Sequence, residues 1–294
     1  MSPSPYFSVI TPSYQQGAFI GECLRSVAGQ MDDGYEHLVL DNCSTDNTAS
    51  VVEKFPKVRF VREPDRGQSD AVNKGFQLAR GEIICWLNSD DSYPSGLFPF
   101  LRSIFANPSV QVIFGDVIQR SPDEGGDLRA PARFESRLDL VRWWSPDVKL
   151  HQPAIFFRRQ ARETTGLLRE DLHYAMDYEY WWRMSDKFSF VHVPEVLAIQ
   201  LRQAESKTIK AWPKVYAERE RIFSPHYNLV DQGDRAGLLA ERRRVLSQRY
   251  LVEAYAAVSK SRSAAWSLLK RSFRENPAGI LNPAWLGLIR RMLA

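Results

Sequence analysis

The sequence predicts an α/β fold: a mainly parallel, Rossmann-like sheet flanked by helices, followed by a C-terminal helical extension. Over the first 118 residues, short β-rich runs alternate with helical patterns of about ten residues, which is typical of parallel strands joined by covering helices. Residues 82–87 are almost wholly apolar, as expected for a strand buried on both faces. Beyond Thr208 the pattern is helical, with no convincing strand.

The first elements follow from local signals. A β-rich run over residues 6–10 stops at Thr11-Pro12-Ser13, and the helix after it places Phe19, Ile20, Cys23, Leu24 and Val27 on one face. The strand over 37–40 leads into a helix that reaches Lys54, with Ser44 or Thr45 as its N-cap. A third strand covers 58–61, and a helix from Ser69 to Arg80 is closed by Gly81 as its C′ residue.

The later elements continue the alternation more loosely. A helix over 94–106 and a strand over 110–114 follow the apolar strand, and residues 121–127 form an exposed loop rich in Gly, Pro and acidic residues. Further strands are expected over 154–157, 188–193 and 196–201, with a helix over 176–184. We therefore expect one α/β domain over 1–208, with a nucleotide-binding half over 1–118 and an acceptor-binding half over 119–208. The helical extension covers 209–294.

Charge separates the extension from the domain. From Lys210 to Ala294 the chain holds 16 basic and 7 acidic side chains, a balance of +9, whereas the part from 1 to 209 holds 23 basic and 28 acidic, a balance of −5. Near the end, an apolar face accompanies Arg290-Arg291 and consists of Trp285, Leu286, Leu288, Ile289, Met292 and Leu293. Such basic amphipathic helices favour anionic membrane surfaces. The alternative is a helix that packs on the domain or on another subunit. Nucleic acid is disfavoured, because the basic charge is confined to the tail without a recognised binding motif.

The sequence also favours a cytoplasmic location. Together with the basic tail, it leaves open peripheral contact with the inner face of the cytoplasmic membrane. No stretch approaches the roughly 18–20 apolar residues that span a bilayer. The first five residues, MSPSP, lack the basic and apolar regions of a signal peptide.

Three polar clusters follow three predicted strands, at residues 11–14, 41–46 and 88–91. In parallel sheets the ligand crevice lies beyond the carboxyl ends of the strands, so we expect these clusters to form one site. In the last cluster, Asp90 and Asp91 repel each other unless a cation offsets their charge. Mg²⁺ and Mn²⁺ commonly bind through one or two carboxylates plus substrate phosphates, which points to a diphosphate-bearing substrate. A solvated Asp-Asp loop is the alternative.

Several segments together resemble family 2 glycosyltransferases, which have the GT-A fold and invert the anomeric centre, and in particular the bacterial surface-polysaccharide type. The resemblance covers about residues 5–208. It rests on these segments, in this order: SVITPSY (8–14), LDNCSTD (40–46), DRGQSDAVNKG (65–75), NSDD (88–91), HQP (151–153) and MDYEYWWR (176–183).

The resemblance implies roles for individual residues. The residues implied to bind the nucleotide sugar are Thr11, Pro12, Tyr14, Asp41, Asp46, Gln68, Asp70, Lys74, Asn88 and Ser89. Asp90 would hold the metal with Asp91 in support, and Asp177 would be the general base with Glu179 as the second choice. The implied reaction moves a sugar from a nucleotide diphosphate-sugar to a hydroxyl of a glycan or lipid-linked acceptor, with Mn²⁺ or Mg²⁺ as cofactor.

Two departures from the family pattern leave alternatives open. Asn88 replaces the first Asp of the DxD pattern, and residues 201–206 lack a histidine that related sequences carry, leaving His151 and His192 as other candidate ligands. These departures favour a non-catalytic nucleotide-sugar-binding scaffold of a polysaccharide assembly complex as the alternative function. A sugar nucleotidyltransferase would show a Gly-rich, basic phosphate loop after the first strand, and residues 11–17 are not one.

Overall fold

The chain divides into two units. The computed structural model describes residues 4–121, 126–145, 147–202, 211–229, 235–259, 261–281 and 283–293. The first unit comprises Met1–Arg137 and Lys149–Ile222, and the second comprises Leu138–Val148 and Phe223–Ala294. The boundary between the units therefore falls after Ile222 and not at 208 as expected, and the internal segment Leu138–Val148 is assigned to the helical unit.

An eight-stranded sheet forms the centre of the first unit, counted over the described residues. Its strands are β1 (Phe7–Ser13), β2 (Tyr35–Asp41), β3 (Val58–Arg62), β4 (Ile83–Trp86), β5 (Val112–Ser121), β6 (Gly126–Ala130), β7 (Ile155–Arg158) and β8 (Phe190–Leu201). The strand order is β3-β2-β1-β4-β7-β5-β6, with β8 paired to β5. The pairs among β1 to β4 are parallel, as is β5 with β8, whereas β7 is antiparallel to β4 and β5, and β6 to β5.

This topology sets the direction of each strand end. Because β7 runs against both β4 and β5, the strands β1, β4, β5 and β8 all point the same way. Their carboxyl ends therefore meet at one edge of the sheet, together with the amino end of β7. The mainly parallel α/β fold expected from the sequence is confirmed.

Eight α-helices occur among the described residues up to Phe223. They are α1 (Ile20–Ala28), α2 (Thr48–Val52), α3 (Gln68–Leu78), α4 (Leu97–Phe105), α5 (Arg137–Val141), α6 (Arg159–Thr165), α7 (Met176–Ser185) and α8 (Trp212–Phe223). The helix α5 belongs to the second unit from Leu138 onward. The apolar residues Ile20, Cys23, Leu24 and Val27 expected on one face of α1 are buried. In α3, a Cβ at Gly75 would lie 2.3 Å from Ile10 Cγ2, so only glycine lets this helix pack so closely on β1.

Three local predictions were wrong. The helix expected from Ser44 or Thr45 begins at Thr48, without a side-chain cap, because Ser44 is bonded to Asp41 instead. The helix α3 ends at Leu78, and Gly81 is required by close packing, since a Cβ there would lie 2.6 Å from the Ser8 nitrogen. The two strands expected on either side of Pro194 form the single strand β8.

The strand β8 accommodates its proline by an irregular register. The pairing with β5 passes from Val193 directly to Val196, so Pro194 lies in the skipped segment. Proline has no backbone N–H to donate to a ladder, which explains the irregularity at this point. The loop expected over 121–127 contains the end of β5 and the start of β6, with residues 122–125 outside the described residues.

The second unit has its own core. Its helices are α9 (Arg235–Ala257), α10 (Arg262–Glu275) and α11 (Pro283–Leu293). Trp285, Leu288 and Met292 of α11 are buried against α9 and α10. These three residues are therefore part of the core of the second unit, while Leu286, Arg290 and Arg291 are exposed. Over the described residues, no helix combines the length and apolar character that crossing a bilayer requires.

Candidate active site

A cleft of about 870 Å³ lies at the edge where the carboxyl ends of the parallel strands meet. Its walls come from the end of β1 and the loop after it, the loop after β2, the start of α3, the segment after β4, the end of β5, the turn before β7, the end of β8 and the start of α7. These elements are drawn from most of the first unit, from Pro12 to Arg202. The three polar clusters found in the sequence all contribute to it, so the expected convergence at one edge occurs.

The end of β1 and the loop that follows it bring two of the three expected residues into the cleft. Pro12 and Tyr14 line it, and the Tyr14 ring is 57% exposed. Thr11 does not, because its side chain points into the core, where its hydroxyl is 2.9 Å from His37 Nε2. Burial lowers the pKa of His37 to about 3, so this contact joins two neutral groups.

Two of the expected nucleotide residues shape this loop and do not line the cleft. Asp41 is buried and accepts hydrogen bonds from the backbone N–H (2.8 Å) and hydroxyl (2.5 Å) of Ser44. The Ser44 hydroxyl oxygen accepts the Gln15 N–H at 2.8 Å. Asp46 accepts the Gly17 N–H at 2.9 Å, which ties the loop after β2 to the loop after β1. These two carboxylates therefore hold the backbone that presents Pro12 and Tyr14.

The helix α3 contributes through its first turn, with Gln68 and Ala71. Gln68 lines the cleft, whereas Asp70 and Lys74 do not. Lys74 Nζ lies 3.0 Å from a Glu63 carboxylate oxygen and donates to the Pro64 carbonyl at 2.7 Å. Asp70 accepts the Arg66 N–H at 3.0 Å. Both residues thus fix the loop that leads into α3.

Asn88 is held by a chain of side-chain amides. Its Oδ1 accepts hydrogen bonds from Trp86 Nε1 (3.2 Å) and Gln68 Nε2 (2.9 Å). Its Nδ2 donates to Gln152 Oε1 at 3.0 Å, and Gln152 Nε2 donates to the Trp86 carbonyl at 2.6 Å. The indole N–H can only donate and the carbonyl can only accept, so the two ends of the chain fix the orientation of both amides. An aspartate at position 88 has no N–H for Gln152.

The neighbouring residues of this cluster differ in their partners. The Ser89 hydroxyl lines the cleft and donates to the Pro12 carbonyl at 2.5 Å. Asp91 is buried and accepts the Leu201 N–H at 3.2 Å, which joins the segment after β4 to the end of β8. Within the described ranges, Asp90 lines the cleft without an ion pair to Lys or Arg.

Electrostatics in this corner favour a cation. Burial raises the pKa of Asp90. Burial and the adjacent Asp90 carboxylate raise the pKa of Asp91 well above its usual range, against the hydrogen bonds from Leu201 and Asn88. Two desolvated neighbouring carboxylates are stabilised when a divalent ion neutralises them.

The residues present fit Mg²⁺ or Mn²⁺ bound jointly with a diphosphate better than an all-protein metal site. No group of three His, Cys, Asp or Glu side chains suited to a metal occurs in the described part of the chain. A hard divalent ion needs only one or two carboxylates when substrate phosphates complete its shell. His151 and His192 do not line the cleft, and His192 stacks on Phe114 instead. Residues 203–208, where a histidine is absent from the sequence, lie outside the described residues.

Of the two candidate bases, only Asp177 reaches the cleft. It lies at the start of α7, half-buried. Burial raises its pKa, against a lowering effect of Arg219 and of the Tyr178 N–H. Glu179 is buried in a bidentate pair with Arg183, at 2.8 and 2.9 Å, and does not line the cleft.

The cleft contains functional candidates that sequence reasoning missed. Gln152 holds the Asn88 amide by a hydrogen bond. The feature of the sequence that could have identified it is the HQP segment before β7. Arg202 lines the cleft directly after β8 and donates to Gln119 Oε1 at 3.2 Å. The feature of the sequence that could have identified Arg202 is a basic residue directly after the strand predicted over 196–201. His173 also lines the cleft, and no local pattern in the sequence pointed to it.

The chain is similar to characterised and solved glycosyltransferases. A PGL/p-HBAD biosynthesis glycosyltransferase of Mycobacterium bovis is 32% identical over 171 residues, which cover 55% of this chain and 63% of that protein. The chain therefore spans less than two thirds of that relative.

Two solved structures share the fold. The S. aureus TarS 1-349 structure in complex with UDP matches with a TM-score of 0.59 and 17% identity, over 98% of this chain and 88% of that one. The mannosyltransferase PcManGT from Pyrobaculum calidifontis, in complex with GDP-Man and Mn²⁺, matches with a TM-score of 0.58 and 18% identity, over 99% and 86%. At these identities the similarity establishes the GT-A fold.

The family follows from the sequence profile. The profile of Glycosyl transferase family 2 matches residues 8–166, more than half of the chain. That span includes the loops after β1 and β2, α3, and the cluster from Asn88 to Asp91. The chain is therefore a glycosyltransferase and belongs to glycosyl transferase family 2.

Proposed function

We propose that this glycosyltransferase moves a sugar from a nucleoside diphosphate-sugar to a hydroxyl group of a glycan or lipid-linked acceptor, with inversion at the anomeric carbon. The observation that carries the proposal is that Asp90 and Asp177, which are far apart in the chain, line one cleft. One is a carboxylate suited to a metal-bound diphosphate, and the other is a desolvated carboxylate suited to proton transfer. The similarity to proteins named for PGL/p-HBAD and O-antigen biosynthesis supports an acceptor of this class.

Asp177 acts as the general base in this proposal. The acceptor oxygen attacks the anomeric carbon and loses its proton to the Asp177 carboxylate, while the bond from that carbon to the diphosphate oxygen breaks. The electron pair of that bond leaves with the nucleoside diphosphate. A raised pKa suits this task, because proton transfer is most effective from a hydroxyl to a base whose pKa lies nearer to the working pH.

Positive charge near the diphosphate stabilises its departure. Arg202 presents a guanidinium to the cleft, and Gln119 holds it there. Asp90, with Asp91 behind it, would hold Mn²⁺ or Mg²⁺, which would act as a Lewis acid toward the leaving phosphate. Tyr14 and Pro12 offer an aromatic and an apolar surface to the nucleoside, while Gln68, Asn88 and Ser89 line the same wall.

A non-catalytic nucleotide-sugar binder is the second candidate, because Asn88 replaces a carboxylate of the DxD pattern. The amide chain around Asn88 gives this replacement a structural role. Asp90 and Asp177 still line the cleft. Catalysis and binding are separated by the variant Asp177→Asn, which keeps the shape of the cleft and removes the base.

The test is a donor screen with purified protein. UDP-, GDP- and dTDP-sugars are incubated with and without Mn²⁺, and released nucleoside diphosphate and thermal shift are recorded. We expect one donor to be turned over by the wild type and bound but turned over about 100- to 10,000-fold more slowly by Asp177→Asn. Binding with equal, negligible turnover by both proteins, in the presence of polyprenyl-phosphate-linked sugars and simple glycosides as acceptors, supports the scaffold. Failure to bind any donor refutes both.

We also propose that the second unit contacts anionic membrane surfaces through exposed basic side chains. Trp285, Leu288 and Met292 of α11 are covered by α9 and α10, so contact would involve Arg290 and Arg291 and not insertion of Trp285. Each arginine near an anionic surface contributes about 1 kcal/mol. The test measures binding of the protein to vesicles with and without anionic phosphatidylglycerol. Binding that requires the anionic lipid supports this contact, and its absence refutes it.

A further inference from the structure

We propose that helix α8 positions the general base: Glu218 fixes the backbone that carries Asp177, and Arg219 sets the charge environment of its carboxylate. This inference rests on the proposed function, because Asp177 is the base assigned there. It concerns a helix that lies entirely beyond the part of the chain that the family profile matches.

Glu218 caps the segment that leads into α7. Its carboxylate accepts backbone N–H groups of three consecutive residues: His173 (2.9 Å), Tyr174 (2.8 Å) and Ala175 (3.0 Å). Charge-assisted bonds of this kind are about twice as strong as neutral ones. Asp177 follows Ala175 by two residues. The Glu218 carboxylate therefore fixes the backbone directly before the turn of α7 that carries Asp177.

The Glu218 contact lies directly before a helix that has no side-chain cap of its own. The N-cap residue of α7, Ala175, has no side-chain acceptor for the first N–H groups of the helix. A negative charge near a helix N-terminus is also favourable to the helix dipole. Glu218 supplies a negative charge from another helix and accepts the N–H groups of Ala175 and the two residues before it, so the residues that lead into α7 are held by a tertiary contact.

Arg219, the next residue of α8, stacks on the first turn of α7. Its guanidinium carbon lies 3.8 Å from the centre of the Tyr178 ring, and Tyr178 directly follows Asp177. Tyr178 is buried, so this cation–π contact fixes the guanidinium beside the base.

The two residues of α8 act on the Asp177 charge in opposite directions. Burial raises the pKa of Asp177, Arg219 lowers it, and Glu218 raises it. Within α7 and the preceding segment, the Tyr178 N–H also lowers it by donating to Asp177 at 2.8 Å. The balance keeps a desolvated carboxylate ionisable at a raised pKa, as a base requires.

Arg221 provides a matched control on the same helix. It donates to the Asp171 carbonyl at 3.3 Å and lies 3.3 Å from the Asp171 carboxylate. It therefore also ties α8 to the segment before α7, but its guanidinium pairs with Asp171 and not with the base. A general loosening of α8 would affect Arg221 variants as well.

The first experiment measures the Asp177 pKa by ¹³C NMR in full-length protein labelled at aspartate carboxyl carbons. The resonance that disappears in Asp177→Asn identifies the group. We expect Arg219→Met to raise the pKa by roughly 0.5–1 units and Glu218→Gln to lower it, with Arg221→Met unchanged within about 0.2 units. Equal values in all proteins, or shifts of the same sign in Arg219→Met and Glu218→Gln, overturn the inference.

Hydrogen exchange tests the capping role separately. We expect Glu218→Ala to accelerate exchange of the His173, Tyr174 and Ala175 amides at least tenfold, whereas Glu218→Gln, which retains an acceptor, changes it less. Unchanged exchange in Glu218→Ala refutes the cap.

These measurements need no donor, so they stand apart from the proposed reaction. If Asp177→Asn retains full transfer in the donor screen, the base assignment fails even when the NMR shifts occur. If Asp177→Asn loses transfer but the pKa values do not move, only the role of α8 fails. When both hold, the acidic limb of kcat/KM moves to higher pH in Arg219→Met and to lower pH in Glu218→Gln.

Discussion

Replacing Asn88 by aspartate restores the DxD pattern, yet we expect it to destabilise the protein. The variant cannot donate to Gln152 Oε1, which now lies 3.0 Å from Asn88 Nδ2. If the Gln152 amide turned over, its oxygen would face the Trp86 carbonyl, at a position where Gln152 Nε2 now donates over 2.6 Å. Either orientation leaves one buried acceptor without a donor.

The magnitude follows from the acceptor left unpaired in the amide chain, and the loss of the hydrogen bond from Asn88 to Asp91 acts in the same direction. An unpaired buried polar group costs about 1–3 kcal/mol, so we expect a loss of about 2 kcal/mol in the free energy of unfolding. For a domain of this size this corresponds to a fall in Tm of about 4–8 °C. The added charge beside Asp90 and Asp91 acts in the same direction without metal.

The assay is urea and thermal unfolding at pH 7 in EDTA, with Asn42→Asp as the matched control. Asn42 lines the same cleft, and its Oδ1 accepts the Asp65 N–H at 2.9 Å, a bond that an aspartate preserves. Asn42→Asp therefore adds the same charge to the cleft without breaking the amide chain. If Asn88→Asp proves as stable as Asn42→Asp, or more stable, the argument from the amide chain is refuted.

Four further predictions concern the cleft and the tail. Asp90→Asn should abolish the additional thermal stabilisation that Mn²⁺ gives in the presence of UDP or GDP; a retained effect means that other ligands hold the ion. Arg202→Met should weaken binding of the same nucleotides roughly 10- to 100-fold in calorimetry, because it removes a charged hydrogen-bond donor; unchanged affinity means that the guanidinium does not reach the diphosphate. The kcat/KM of the wild type should fall as pH drops through the Asp177 pKa, which burial raises above that of an ordinary aspartate, because the protonated base accepts no proton; an acidic limb no higher than that of an ordinary aspartate contradicts this. The double variant Arg290→Ala, Arg291→Ala should bind phosphatidylglycerol vesicles about 30-fold more weakly at low salt, from about 2 kcal/mol of lost attraction, and identical sedimentation of both proteins excludes these residues.

The fold class could be predicted because the signals for strands and helices are local. Apolar runs such as Ile83–Trp86 and the one-sided pattern of α1 depend only on nearby residues. The exact ends of elements depend on distant partners. Gly81 resembled a helix terminator, but its requirement for glycine comes from the backbone of β1.

The part of the site that lies at the converging ends of the parallel strands could be predicted from the sequence. Polar residues after β1 and β4 line the cleft because parallel strands end at one edge, and this placed Tyr14 and Asp90 correctly in the cleft. Asp41, Asp46 and Asp70 belong to the same segments, yet their side chains bond to neighbouring loops. A motif fixes where the backbone passes, whereas the direction of each side chain depends on the partners it meets.

The sequence by itself determined the α/β architecture, the family and the strand ends that line the cleft. Only the tertiary structure decided which carboxylate faces the cleft, because Asp177 and Glu179 lie two residues apart on one helix and differ in the partners around them. It also brought Gln152 to Asn88 and Glu218 to the start of α7, contacts between distant parts of the chain. Such contacts leave no local pattern, since a buried amide or carboxylate is satisfied by whichever donor the fold places beside it.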